Sequence, residues 1–315
     1  MEAIKRVTLI GLGAMGAVFA PGLSQVLGDG FRVMAQGARR ARLEEQGVTI
    51  NGVHYRFPIV EPGDRDGPSD LVIVAVKDYA LEEALEQIRN QVGPDTLVMP
   101  VLNGLTAPRR TGAVYGMERV LYASMWIAAS MENGVATFGA SSGLVRFGAA
   151  RNDPPSPAVE RVADLFRRAG IRCEVPADML HCIWLKFMGN VSENLPCALL
   201  GVPYGAYHAS GDADALRRAA MEEVAAVAKR SGVELTAADM ALRDQVVSRL
   251  DDGSRPSTLQ DLDRGRPTEV DLFAGEVVRL GEEYGVPTPV CRLFYHGIRV
   301  LEQKNAGEIP GMNEE

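Results

Sequence analysis

Lys186, Asn190 and Asn194 recur at i, i+4 and i+8 within residues 178–194. At 3.6 residues per turn, these three positions share one helical face within about 80°. Met179, Leu180, Ile183, Trp184, Phe187, Met188 and Val191 surround them, so most of this helix is expected to be buried. A lysine and two carboxamides in such a helix need partners or a cleft, because unpaired burial of polar groups is costly. A lysine there can donate a proton to a carbonyl oxygen as hydride arrives, and the asparagines can hold hydroxyl or carboxylate groups. A narrow stripe facing solvent is the plainer alternative.

A second constellation, Gly11-Leu12-Gly13-Ala14-Met15-Gly16, follows the apolar strand candidate Val7-Thr8-Leu9-Ile10 and opens a small-residue stretch at 14–27. Strand, glycine turn and helix form the context in which GxGxxG binds a dinucleotide. The first glycine permits the tight turn and the second lets backbone approach a pyrophosphate. The third lets the helix sit close to the strand, with its N-terminus facing the phosphate charge. A tight turn that binds nothing is the alternative. The next strand, 31–35, ends at Gln36-Gly37-Ala38-Arg39-Arg40-Ala41-Arg42. NAD enzymes usually carry an acid there for the ribose 2′-hydroxyl. Here the acid is missing and three arginines follow. A guanidinium suits a 2′-phosphate, so NADP(H) is favoured over NAD. At least one of Arg39, Arg40 and Arg42 is expected to do no more than form a solvated helical turn.

Asn103-Gly104 lies just past a buried strand, on the edge where doubly wound sheets bind ligands, and reads equally well as a plain turn. Ser257-Thr258-Leu259-Gln260-Asp261 and Pro267-Thr268-Glu269-Val270-Asp271 fall in a helical region. Thr268 before an acidic first turn is an ordinary helix start.

The elements that position these residues fall into two groups. The first alternates strands and helices. Strands are expected at 7–10, 31–35, 71–76 and 96–102, although Pro100 argues against a regular central strand through the last. A helix is expected at 79–90. Asn51-Gly52 between two short apolar runs predicts a type I′ hairpin. Further strands are expected at 120–127, 135–138 and 144–147, then a helix at 157–170, with 173–175 closing the sheet. After Pro176 helical periodicity dominates, at 178–194, 212–231, 237–250, 268–284 and 290–304. Gly232 and Gly285 act as helix stops. The expectation is α/β: a Rossmann-type dinucleotide-binding domain over 1–176, then an all-helical substrate and dimerisation domain over 177–315. Residues 306–315 read as a loose tail.

The chain has 315 residues, comfortable for two domains, and 46% hydrophobic residues suffice for ordinary cores. A net charge of −8 argues against nucleic-acid or anionic-membrane partners. Cys173, Cys182, Cys197 and Cys291 show no CxxC spacing, and the histidines no HExxH, so no metal site is expected. Scattered cysteines fit a reducing cytoplasm. Glycines interrupt the first apolar run, so no signal peptide is read there, and no stretch approaches the roughly 18 apolar residues of a membrane span.

Together these residues resemble the ketopantoate reductase (2-dehydropantoate 2-reductase) family over nearly the whole chain. Gly11 to Gly16 matches the nucleotide loop, and Asn103-Gly104-Leu105 the family's NG loop. Trp184-x-Lys186-x3-Asn190-x3-Asn194 matches the lysine helix. Ser257-x-Leu259-Gln260-Asp261, followed by Thr268-Glu269-Val270-Asp271, matches the C-terminal site segment. The last two together are specific; the glycines alone are not.

The resemblance implies NADPH over the C-terminal edge of the sheet and a 2-keto acid between the domains. Lys186 would be the general acid, and Glu269 would orient the lysine or the hydroxyl being formed. Asn190, Asn194 and Ser257 would hold the substrate's hydroxyl and carboxylate groups. Asn103 would contact cofactor and substrate. Lys77 matches a position near the adenosine phosphate, with a solvated loop lysine as its alternative. The implied reaction is reduction of 2-dehydropantoate to (R)-pantoate, toward pantothenate and coenzyme A, in an enzyme expected to be a homodimer.

The chain also departs from the family pattern, at Leu102, at Thr106-Ala107-Pro108-Arg109, at Ala274-Gly275 and at Cys291. These changes spare the proposed catalytic residues and leave open another branched 2-keto acid or an opine-type reaction. A non-catalytic NADP-binding sensor would not need Lys186, Asn190, Asn194, Ser257 and Glu269 together.

Overall fold

The computed structural model describes residues 3–139 and 143–309. Its contacts divide the chain into two compact units, Met1–Cys182 and Ile183–Glu315. In the first unit β1 (Val7–Ile10) leads through α1 (Ala14–Ala17) and α2 (Ala20–Leu27) to β2 (Phe31–Met34) and α3 (Gly37–Gln46). β3 (Val48–Ile50) and β4 (Val53–Tyr55) pair antiparallel, and Asn51 and Gly52 both take positive φ, as a type I′ turn requires. β5 (Ile59–Val60), β6 (Leu71–Val74), α4 (Leu81–Gln87), β7 (Leu97–Pro100) and α5 (Ala107–Tyr115) follow. β8 (Tyr122–Trp126), β9 (Ala129–Glu132), β10 (Val135–Phe138), β11 (Leu144–Gly148), α6 (Pro157–Arg168) and β12 (Cys173–Glu174) complete the unit.

The main sheet is parallel, in the order β5-β2-β1-β6-β7. Every residue of β1, β2 and β6 is buried, Thr8 and Arg32 included, as strands covered on both faces should be. Ile10 stands opposite Met34 and Val74, and Val74 opposite Pro100. Four chain segments therefore leave the sheet at one level. Pro100 is accommodated because it ends the outermost strand of this sheet.

Beyond one parallel bridge between Val98 and Val120, the later strands do not extend that sheet, contrary to expectation. They form two smaller ones, β4-β3-β10-β9 and β12-β11-β8, so Cys173-Glu174 closes a three-stranded sheet instead. A second hairpin builds the four-stranded one. Asn133 and Gly134 take the same positive-φ pair and fold β9 onto β10, whose other edge pairs with β3. α5 was not expected either; Pro108 sits in its first turn, where a missing N–H costs no intrahelical bond.

The second unit is helical. α7 (Met179–Gly189), a π turn (Asn190–Asn194) and α8 (Leu195–Leu200) form one continuous rod. α9 (Ala206–Ala209), α10 (Gly211–Arg230), α11 (Ala237–Val247) and α12 (Ser257–Asp263) follow. A second π turn (Asp271–Gly275) leads into α13 (Glu276–Tyr284), and α14 (Pro289–Asn305) is the last helix. α10 is the centre of this unit, touching the first π turn, α8, α9, α13 and α14. The Ser210 side chain caps α10, and Thr236 and Asp239 form a capping box on α11. Residues 310–315 of the expected tail lie outside the described residues. No described helix is long and apolar enough to cross a membrane.

Candidate active site

At the C-terminal edge of the parallel sheet, the three glycines have different neighbours. Gly11 has φ +95°, and a Cβ there would sit 2.5 Å from the Ala75 carbonyl oxygen. A Cβ on Gly16 would sit 2.2 Å from the Gly11 carbonyl oxygen. A Cβ on Gly13 would meet nothing within 4 Å. Gly11 and Gly16 are thus required by the turn itself, whereas Gly13 faces open space of the kind a pyrophosphate needs.

Gln36 stands exposed at the N-terminal boundary of α3. Arg40, one turn on, is engaged by Glu44 at 2.8 Å and by Glu61 at 2.5 Å. Arg39 and Arg42 point to solvent. Crowding by surrounding protein, and then the Arg42 charge, hold the Arg39 guanidinium below its ordinary range, while Tyr79 pulls the other way. Its side chain nevertheless remains accessible. Lys77 is exposed where β6 leads into a 3₁₀ turn (Asp78–Ala80), and Arg110 pins that turn through Asp78 and Glu82. Asn103 is half-buried just past β7, beside Gly104 at φ +85°. The glycine turn, Gln36, Arg39, Lys77 and Asn103 therefore all lie at one end of one sheet.

In the second unit, the lysine helix runs past its expected end at Asn194. Pro196 has no N–H to offer the Ser192 carbonyl four residues earlier. The rod widens into the π turn at this point, and the Tyr207 hydroxyl supplies a substitute donor. It donates to the Glu193 carbonyl at 2.6 Å and reaches that of Ser192 at 3.5 Å. The expected angular drift between Lys186 and Asn194 assumed an α-helix throughout. A π turn, bonded i→i+5, rotates less per residue and takes back part of that drift.

Lys186 and Asn190 are half-buried and Asn194 is buried. The Tyr204 hydroxyl donates to Asn194 Oδ1 at 2.7 Å, and Asn194 Nδ2 donates to Asn190 Oδ1 at 3.5 Å. Between the two asparagines, Glu193 turns inward to Arg243, which reaches it at 2.7 Å. Burial pushes the Glu193 carboxyl up, and the Arg243 charge pulls it back.

Glu269 is half-buried, next to Thr268, whose N–H and hydroxyl both donate to Glu302 Oε1 at 2.7 Å. The π turn two residues beyond Glu269 touches the first π turn, and the Phe273 and Phe187 rings lie 6.4 Å apart. Ser257 is exposed as the first residue of α12, which rests on α8 and on the first π turn. Of the family departures, Ala274 and Cys291 are fully buried. Both Glu223 oxygens accept from the backbone at Val290 and Cys291, at 2.8 Å each. Burial and this carboxylate push the Cys291 thiol up. Among the described residues, no cluster of three or more His, Cys, Asp or Glu could hold a metal.

Sequence reasoning missed both π turns and the side chains that hold the first, Tyr204, Tyr207 and Arg243. The one local signal was Pro196 inside a helical run.

Two family models match the chain in order. That of ketopantoate reductase PanE/ApbA matches residues 7–152, and that of its C-terminal part residues 178–302. The 2-dehydropantoate 2-reductase of Mesorhizobium japonicum is 28% identical, covering 90% of this chain and 94% of that protein. The enzyme of the same name from Streptococcus pyogenes is 28% identical, covering 94% of this chain and 97% of that protein. Among solved structures, D-mandelate dehydrogenase with NADH superimposes with a TM-score of 0.83 at 25% identity, covering 95% of this chain and 99% of the other. With one family matched in sequence order across both units, the chain belongs to the ketopantoate reductase (PanE/ApbA) family.

Proposed function

We propose that this protein reduces 2-dehydropantoate to (R)-pantoate with NADPH, a step toward pantothenate and coenzyme A. The observation that carries the reading is the half-buried Lys186 in line with two asparagines, on a helix that continues into a braced π turn, within a family of reductases. When bound, NADPH supplies the hydride. Lys186 delivers the proton to the ketone oxygen and offsets the negative charge that develops there. Asn190, Asn194 and Ser257 hold the substrate's hydroxyl and carboxylate groups, and Glu269 orients Lys186 or the hydroxyl being formed.

For the cofactor, the turn Gly11, Leu12, Gly13, Ala14, Met15 and Gly16 would hold the pyrophosphate, with Gly13 leaving the room. Gln36 and Arg39 would take the adenosine ribose and its 2′-phosphate, Lys77 would serve the adenosine phosphate, and Asn103 would meet the nicotinamide end and the substrate. Arg40 is already engaged by two carboxylates, which favours Arg39 for this role. In this reading the domain 1–176 holds the cofactor, while 177–315 holds the substrate and forms a homodimer. The four free cysteines suit a cytoplasmic enzyme.

A second reading has a specific observation behind it. D-mandelate dehydrogenase, to which the chain is similar, was solved with NADH. An NADH-linked reductase of another branched or aromatic 2-keto acid is therefore the rival. Initial rates with NADPH and NADH across a panel of 2-keto acids decide between them. Fastest, saturable turnover of 2-dehydropantoate with NADPH supports the proposal; preference for another keto acid, or for NADH, supports the rival.

A further inference from the structure

We infer that Tyr204 is a positioning residue that fixes Asn190 as a hydrogen-bond donor toward a substrate oxygen, acting through Asn194. The inference rests on the reading of Asn190 as a substrate anchor. A helix places a carboxamide but does not decide which end faces out, the accepting oxygen or the donating nitrogen. Here a chain of three side chains decides it. The Tyr204 hydroxyl donates to Asn194 Oδ1 at 2.7 Å. That turns Asn194 Nδ2 toward Asn190, where it donates to Oδ1 at 3.5 Å. Asn190 then presents its Nδ2, which donates to no protein atom among the described residues. The side chain is only half-buried, so this nitrogen is set to meet a carboxylate or hydroxyl oxygen.

Tyr204 is itself held firmly. Its backbone N–H donates to Ser254 O, and that of Gly205 to Asp252 O, each at 3.0 Å, in the loop that leads to Ser257. A Cβ on Gly205 would sit 2.7 Å from the Asp252 oxygen, so the two chain segments touch closely. Burial, reinforced by the Glu193 charge, keeps the phenol protonated far beyond its ordinary range. The donor is therefore present at every working pH. The start of the chain is tied to the Ser257 segment, and its end is the free amide of Asn190.

The test uses Tyr204→Phe, Asn194→Asp and the double variant. Tyr204→Phe removes the donor and lets both carboxamides turn over. It should raise the KM for the 2-keto acid about 10-fold, with kcat within about 3-fold and NADPH affinity unchanged. Asn194→Asp accepts from Tyr204 but cannot donate to Asn190, so its KM should rise at least as far. The double variant should be no worse than Asn194→Asp alone, since Tyr204 acts only through Asn194. In protein labelled with 15N-asparagine, the side-chain NH₂ signals of Asn190 and Asn194 should both shift in Tyr204→Phe. An unchanged KM, additive losses, or unmoved NH₂ signals would overturn the inference. If the wild-type protein reduces no 2-keto acid, the functional reading fails by itself, and the NH₂ signals still decide whether Tyr204 sets the amides.

Discussion

Arg243 reaches Glu193 across the gap that Gly189 leaves. A Cβ at residue 189 would lie 2.4 Å from Arg243 Nη2, and the arginine donates from Nε to Glu193 Oε1 at 2.7 Å. Both side chains are nearly sealed from solvent, at 7% and 5% exposure, so neither charge has water to fall back on. Glu193 sits between Asn190 and Asn194, and the pair braces the turn that carries both asparagines. Arg243→Met strands a buried carboxylate and should cost about 3–5 kcal/mol in denaturant unfolding. Replacing Glu193 by Met as well should recover much of that loss. A single variant as stable as wild type would show that the pair is dispensable.

The glycine turn separates folding from cofactor binding. Gly16→Ala drives a Cβ into the Gly11 carbonyl and should lower the melting temperature outright. Gly13→Ala has room in the folded protein and should melt normally. It should nevertheless weaken NADPH binding by about 10-fold or more, because the new methyl occupies the space left for the pyrophosphate. Equal NADPH affinity in Gly13→Ala and wild type would place the cofactor elsewhere.

Two adjacent arginines should behave differently. Arg40 is held by Glu44 and Glu61, whereas Arg39 is accessible and crowded by Arg42. Arg39→Ala should raise the KM for NADPH by about 10- to 100-fold and leave that for NADH nearly unchanged, since only the former carries a 2′-phosphate. Arg40→Ala should change either value less than about 3-fold. The reverse ranking would assign the phosphate to Arg40.

His208 links pH to the loop that carries Tyr204's backbone partners. Nδ1 meets Asp252 Oδ1 at 2.6 Å and Nε2 meets the Val247 carbonyl at 3.1 Å. Both partners accept, so only the doubly protonated ring satisfies both. The Asp252 hydrogen bond, then that to Val247, raises the His208 pKa above its ordinary 6.5. A raised folded-state pKa means that the bridge's stabilisation is complete below pH 6.5 and is lost as pH climbs through the raised value. An NMR titration should show His208 titrating above 6.5, and moving back toward it in Asp252→Asn. A titration at or below the ordinary value would contradict this bridge.

How much was legible in the sequence depended on the range of the interactions. The stripe of Lys186, Asn190 and Asn194, the glycine turn and the Asn51-Gly52 hairpin rest on neighbours within a few residues, and their residue types announced them. The π turn after Lys186 depends on Tyr207 of α9, Tyr204 of the turn before it and Arg243 of α11, so only Pro196 hinted at it. Of the two carboxylates that engage Arg40, Glu44 lies four residues on in α3, but Glu61 is revealed by no local pattern there. β8, β10, β11 and β12 read individually, but β9 did not, and its hairpin at Asn133-Gly134 carried β10 into a sheet with β3.

The central claim is that Lys186 protonates the ketone of a 2-keto acid reduced by NADPH. Its most direct test is NADPH oxidation by the purified protein with 2-dehydropantoate, compared with Lys186→Ala across pH. Saturable turnover that falls at alkaline pH, with kcat about 100-fold or more lower in Lys186→Ala and NADPH affinity intact, is the predicted result. Near-normal kcat in Lys186→Ala, or a rate that stays flat into alkaline solution, would contradict it.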